Sequence, residues 1–208
     1  STMKEIDIKK ILVRKLLKDS DEIIIGSEVP FRYGSRRADI MSIHDDVATA
    51  FEIKGSGDSV ERLKYQVESY KEYFDYCYVV CEEDNLSQIR KNVGREIGLI
   101  IVTNNNVLVI RKSQHFKRQN KESLASTLSF KTLRDLSPNK SIRAKHELGQ
   151  VLASNNTLEF IRKKSRSELA EKYKISTNLL RKEFNSAINS DDIITITRTP
   201  PKLLIRRP

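Results

Sequence analysis

Asp39, Glu52 and Lys54 are the residues whose types and spacing could do chemistry. They stand on two apolar-rich runs, Arg36–Ile43 and Ala48–Lys54, separated by His44-Asp45-Asp46-Val47. Such runs around an acidic pair read as a β-hairpin. With Asp45-Asp46 as a two-residue turn, His44 faces Val47 and, in the same register, Asp39 faces Glu52. Side chains alternate along a strand, so Lys54 shares the face of Glu52, while Ile40, Phe51 and Ile53 point into a core. Directly opposed carboxylates repel unless a cation sits between them. Mg²⁺ or Mn²⁺ would suit, because hard cations take oxygen ligands and keep several waters. Lys54 could then orient or deprotonate a water, or neutralise charge developing on a phosphorane. The bland alternative is a solvated hairpin face.

The neighbouring segments supply the scaffold. Apolar residues at Ile8, Ile11, Leu12, Leu16 and Leu17 predict an amphipathic helix over 6–17 that packs on a sheet, with Glu5 and Asp7 as first-turn charges. Residues 22–31 read as strand material broken at Gly26 and ended near Pro30, with Glu28 placed to reach the carboxylate pair. Arg36 and Arg37 lie just upstream of Asp39, where guanidinium forks could grip phosphate or pair with Glu28 or Asp45. Beyond Gly55 and Gly57, Val60, Leu63, Val67, Tyr70 and Phe74 predict a helix over 58–74, capped by Asp58 or Ser59, with Gln66 and Tyr70 one turn apart. Tyr76–Cys81 and Leu99–Val102 read as buried strands, Leu86–Val93 as a short helix, and Val107–Ile110 as an edge strand. The order is α/β: a mixed β-sheet flanked by helices.

The pattern Asp-(x)12-Glu-x-Lys resembles the motif of the PD-(D/E)XK nuclease superfamily, which carries these residues on adjacent antiparallel strands. The resemblance implies that Asp39 and Glu52 ligate the metal, with the Ile53 backbone carbonyl as a third ligand, and that Lys54 is catalytic. Gln66 and Tyr70 match the Gln-x-x-x-Tyr motif that follows the lysine in RecB-like members. Taken with Glu28, Arg37-Ala38-Asp39-Ile40, Phe51-Glu52-Ile53-Lys54 and Arg62-Leu63, residues 22–103 look like the sce-type family of bacterial and phage proteins. They are also similar to MmcB-type DNA repair proteins. The resemblance implies a restriction-endonuclease-like core and a site of Glu28, Asp39, Glu52, Lys54 and Gln66.

The 208 residues suffice for one core and an appendage. No apolar run approaches the ~20 residues of a membrane span, so a cytoplasmic protein without membrane contact is expected. Cys77 and Cys81 lie on one expected strand, too far apart to bridge, and read as buried thiols. Net charge is +10, yet residues 1–115 hold 18 Lys and Arg against 19 Asp and Glu, and residues 116–208 hold 20 against 9. The excess points to a phosphate-bearing partner docked on the C-terminal region. This predicts a nuclease-like unit over 1–113 and a basic helical region over 114–208. Within that region, Ser167–Tyr173, a break at Lys174-Ile175-Ser176 and Thr177–Ile188 suggest a helix-turn-helix that presents Arg181 and Lys182 to nucleic acid. Residues 193–206 suggest a basic wing; the competing reading is a helical cap. The expected function is a Mg²⁺- or Mn²⁺-dependent nuclease of DNA, whose oligomeric state the sequence leaves open, a dimer included. An RNase with the same site, a non-catalytic DNA-binding scaffold, and an interaction protein of phage–host conflict stand as alternatives.

Overall fold

The computed structural model describes residues 2–104 and 106–183, so the suggested wing lies outside the described residues. Six strands form one sheet in chain order: β1 (Ile24–Phe31), β2 (Arg36–His44), β3 (Val47–Ile53), β4 (Tyr76–Cys81), β5 (Gly98–Val102) and β6 (Val107–Arg111). β3, β4 and β5 run parallel, and the other neighbours pair antiparallel, which makes the sheet mixed. The hairpin has the expected register, with His44 opposite Val47 and Ile40 opposite Phe51. Asp45 and Asp46 take φ of 50° and 62°, the left-handed pair that matches a two-residue turn to strand twist.

Helices cover both faces. α1 (Glu5–Asp19) packs Ile8, Leu12, Val13 and Leu17 against Ile40, Phe51, Ile53 and Val80. On the other face α2 (Leu63–Lys71) and α3 (Glu83–Asn92) bury Leu63, Val67, Tyr70 and Ile89 with Met41, Ala48 and Ala50. α2 begins five residues later than its apolar period suggested, because Asp58 spends its carboxylate on Gly55 N (2.8 Å) rather than on a helix start. Cys77 and Cys81 are free and buried as expected.

β1 corrects the sequence reading, since it runs unbroken through Gly26 and Pro30. An edge strand tolerates Pro30, and Gly26 is needed for a different reason. A Cβ there would stand 2.7 Å from Val29 Cγ2 and 3.3 Å from the Tyr173 ring. Gly26→Ala should therefore cost about 1–3 kcal/mol by overpacking, read as a lower urea midpoint at unchanged slope. Two positions further on, Glu28 takes φ 51°, and Glu28 and Asp39 are skipped between the Ser27–Ile40 and Val29–Ala38 pairs. The side-chain alternation reverses there: Ile25 and Ile40 join the α1 side, while Val29 and Ala38 join the α2 side. Such irregularities re-aim side chains.

The C-terminal region holds α4 (Lys121–Ala125), α5 (Phe130–Leu136), α6 (Lys145–Asn155) and α7 (Leu158–Lys182). Ser129 caps α5 by accepting from Thr132 N, which splits the single run expected over 124–136. α7 is continuous through Lys174-Ile175-Ser176, so the helix-turn-helix is overturned. The segment contains neither glycine nor proline, and the Ser176 hydroxyl is satisfied by donating to Tyr173 O at 3.1 Å. α7 packs along the outer edge of β1. The Thr177 hydroxyl lies 3.1 Å from both the N and the O of Ile25, covering backbone groups that an edge strand would otherwise leave open. Ile161, Leu169 and Tyr173 enter the α2-side core and Leu180 the α1-side core. Leu124, Leu133 and Leu148 of the other C-terminal helices join the same α2-side core. Among the described residues no helix is long and apolar enough to cross a membrane.

Candidate functional site

Glu52 is the next-to-last residue of β3 and Lys54 the first beyond it, with Lys54 N held by Val80 O at 2.9 Å. Both side chains are buried, at 3% and 8% exposure, in a position where unpaired charge would be costly. Lys54 Nζ lies 3.6 Å from Glu52 Oε1 and donates to Gln66 Oε1 at 3.2 Å. Tyr70, one turn after Gln66 on α2, places its hydroxyl on Glu52 Oε2 and 3.0 Å from Arg37 O. Asp39 Oδ2 accepts from Ile53 N at 2.8 Å, which draws its carboxylate to the end of β3. The structure thus brings Asp39, Glu52, Lys54, Gln66 and Tyr70 together at the open end of the hairpin.

Electrostatics sets the character of the pair. Burial first, and then the charge of Glu52, hold the Asp39 carboxyl well above its usual pKa. Burial also raises that of Glu52, against hydrogen bonds from Tyr70 and Asp39 and the charge of Lys54. Burial and the two carboxylates push the Tyr70 hydroxyl up, so it stays a donor. Tyr70 donates to Glu52 Oε2, with Arg37 O as the alternative acceptor of the same proton.

The linkage has a definite sign. Raised acid pKa values favour the fold in their protonated forms, below the ordinary carboxylate range, and that stability is lost as pH climbs through the raised values. In EDTA, wild type should therefore lose melting temperature relative to Asp39→Asn as pH rises above the ordinary carboxylate range of about 4, the two converging at the acid end. Parallel profiles would show the carboxylates to be uncoupled.

Two contributors escaped the sequence reading. Glu5 sits with Glu28 and Asp39 in a group whose carboxylate oxygens lie within 4.8 Å of one another. Lys9 joins them, 7% exposed, 2.9 Å from Glu28 Oε1 and 3.2 Å from Glu5 Oε1. Burial opposes the Lys9 ammonium, but Glu28, Asp39 and Glu5 outweigh it and raise its pKa. The signal was Gly55: a Cβ there would lie 2.5 Å from Glu5 N, so a glycine is what allows the start of α1 to close on the strand end. Ser56 N donating to Met3 O at 2.9 Å fastens the same approach.

The proposed nucleic-acid contacts are dispersed. Arg37 is exposed and Arg36 lies over the Tyr65 ring at 4.3 Å and bonds its hydroxyl; among the described residues neither pairs with Glu28 or Asp45. Arg181 donates to Leu17 O (3.1 Å) and Ile23 O (2.8 Å), a structural role at the far end of α1, and Lys182 stays exposed beside it.

Residues 1–197 match the family model for bacteriophage P4 protein cII. The chain belongs to the bacteriophage P4 protein cII family. It is 30% identical to Protein cII of Enterobacteria phage P4 over 209 residues, spanning 94% of this chain and 78% of that protein. The cII match therefore takes in both the hairpin site and the C-terminal helices packed on β1. A protein of unknown function from Silicibacter pomeroyi is similar in structure over 55% of this chain and 75% of its own, with a TM-score of 0.44 and 16% identity.

Proposed function

We propose that this protein is a metal-dependent phosphodiesterase that hydrolyses DNA, with a restriction-endonuclease-like core, and that it acts in a phage or prophage setting. The observation that carries the reading is the half-buried Asp39 beside the buried Glu52 and Lys54: burial raises the proton affinity of both carboxylates, and the charge of Glu52 raises that of Asp39 further. Carboxylates that hold protons this tightly for want of countercharge fit a divalent cation. Asp39, Glu52 and the Ile53 carbonyl would hold Mg²⁺ or Mn²⁺, with Glu28 and Glu5 at the margin. The cation would supply Lewis-acid stabilisation of charge on the phosphodiester. Tyr70 fixes the Glu52 carboxylate, Gln66 fixes the Lys54 ammonium, and Lys54 presents a positive charge to the phosphoryl oxygens as charge builds on them.

A second reading has one observation in its favour. Lys9 already places an ammonium among Glu5, Glu28 and Asp39, which suits a non-catalytic nucleic-acid-binding protein whose acidic cluster is satisfied internally. Purified protein incubated with single- and double-stranded DNA and RNA in Mg²⁺, Mn²⁺ or EDTA separates the two. Metal-dependent cleavage of DNA, absent in Asp39→Ala, is the expected result. Cleavage of RNA alone would redirect the substrate, and no cleavage with any metal would leave the scaffold reading.

A further inference from the structure

Among the described residues, two basic grooves adjoin one another. One, of about 470 Å³, is lined by Lys10, Arg14, Lys15, Lys18, Asn104 and Asn106, and the other, of about 680 Å³, by Lys18, Asp21, Asn178, Arg181 and Lys182. Lys18 borders both, so they run on from one another around the end of α1. Asp21 is the one carboxylate among their lining residues. Lys10, Arg14 and Lys18 recur every four residues and form one stripe along α1. On the same helix, Lys15 is taken up by Asp19 four residues on, at 3.0 Å. Among the described residues, Lys10, Arg14 and Lys18 have no such partner. The stripe spans about 12 Å, roughly the axial length of three to four nucleotides of one strand.

We infer that this groove is a nucleic-acid track in which Lys10, Arg14, Lys18 and Lys182 contact the phosphates of a DNA strand. The first turn of the same helix delivers Glu5 and Lys9 to the hairpin cluster, so a strand lying along α1 is led toward Asp39 and Glu52; only that destination rests on the nuclease reading. The track lies mostly in the half of the chain whose net charge is near zero, where a count over sequence does not show it.

The test is DNA binding by the full chain in EDTA, measured by fluorescence anisotropy over a salt series. Arg14→Ala/Lys18→Ala removes two exposed side chains that hold nothing in the fold. Its affinity near 0.1 M salt should fall about tenfold or more, and its log–log salt slope should become shallower by about two. Lys131→Ala/Lys163→Ala should match wild type. An α1 double variant with unchanged affinity and slope would overturn the track, as would wild type that binds phosphatidylserine vesicles but not DNA. Because EDTA removes cleavage from the measurement, binding lost on substitution in a protein that cuts nothing with any metal would uphold the track and refute the nuclease.

Discussion

Arg166→Ala should destabilise the fold by about 3–5 kcal/mol and lower the melting temperature by roughly 10 °C. Arg166 is fully buried on α7, with Nε 3.3 Å from Asp75 Oδ2, a second nitrogen on Tyr73 O, and its guanidinium 4.7 Å above the Tyr73 ring. Asp75 is 2% exposed and accepts further from Ala48 N (2.8 Å) and Gln119 Nε2 (2.9 Å). Removing the guanidinium leaves a buried carboxylate with amide partners and only the more distant, half-buried Arg162 at 3.8 Å as countercharge, which costs more than the ion pair itself contributes. Thermal or urea unfolding of the full chain measures it, and a shift under about 2 °C would show that Asp75 is satisfied without Arg166. The same geometry predicts that a chain ending near Ser113 is insoluble or lacks a cooperative transition. It would lose Gln119, Arg162 and Arg166 from around Asp75, together with the cover over β1. A soluble, cooperatively melting truncation would support the division into two units at residue 113.

Lys54→Ala should lower DNA cleavage about 10²–10³-fold in turnover while DNA affinity in EDTA stays within about twofold of wild type. The lysine is assigned to charge that appears only as the phosphodiester reacts, and a group acting there changes turnover rather than ground-state binding. It is buried against Glu52 and Gln66, so its loss also removes a countercharge from Glu52. Lys54→Met keeps most of the packing volume and separates the two effects. Equal loss of cleavage in both variants, with Lys54→Met folded, is the expected result; substantial cleavage by Lys54→Met would take the ammonium out of the mechanism.

The hairpin was legible because its information is local. Two-residue turn chemistry, strand alternation and the position of Asp45-Asp46 together determined the register that places Asp39 beside Glu52. The apolar runs of β4 and β5, buried on both faces, likewise announced central strands, and the exposed β6 an edge. What failed was whatever depended on a partner distant in sequence. Lys174-Ile175-Ser176 looked like a turn only while β1 was not there for Thr177 to bond. Gly26 looked like a break until Tyr173 was seen against it. Glu5 looked like a first-turn charge because nothing in its own segment says that Gly55 lets the helix start close on a strand end. The sequence by itself determined the pairing within the hairpin, the carboxylate pair and its lysine, since these follow from short-range periodicity and turn geometry. Only the tertiary structure decided that α7 seals the β1 edge, that Asp75 and Arg166 tie the C-terminal helices into the core, and which cations are left unpaired. Those outcomes turn on desolvation and countercharge, which are properties of the packed neighbourhood and not of spacing along the chain.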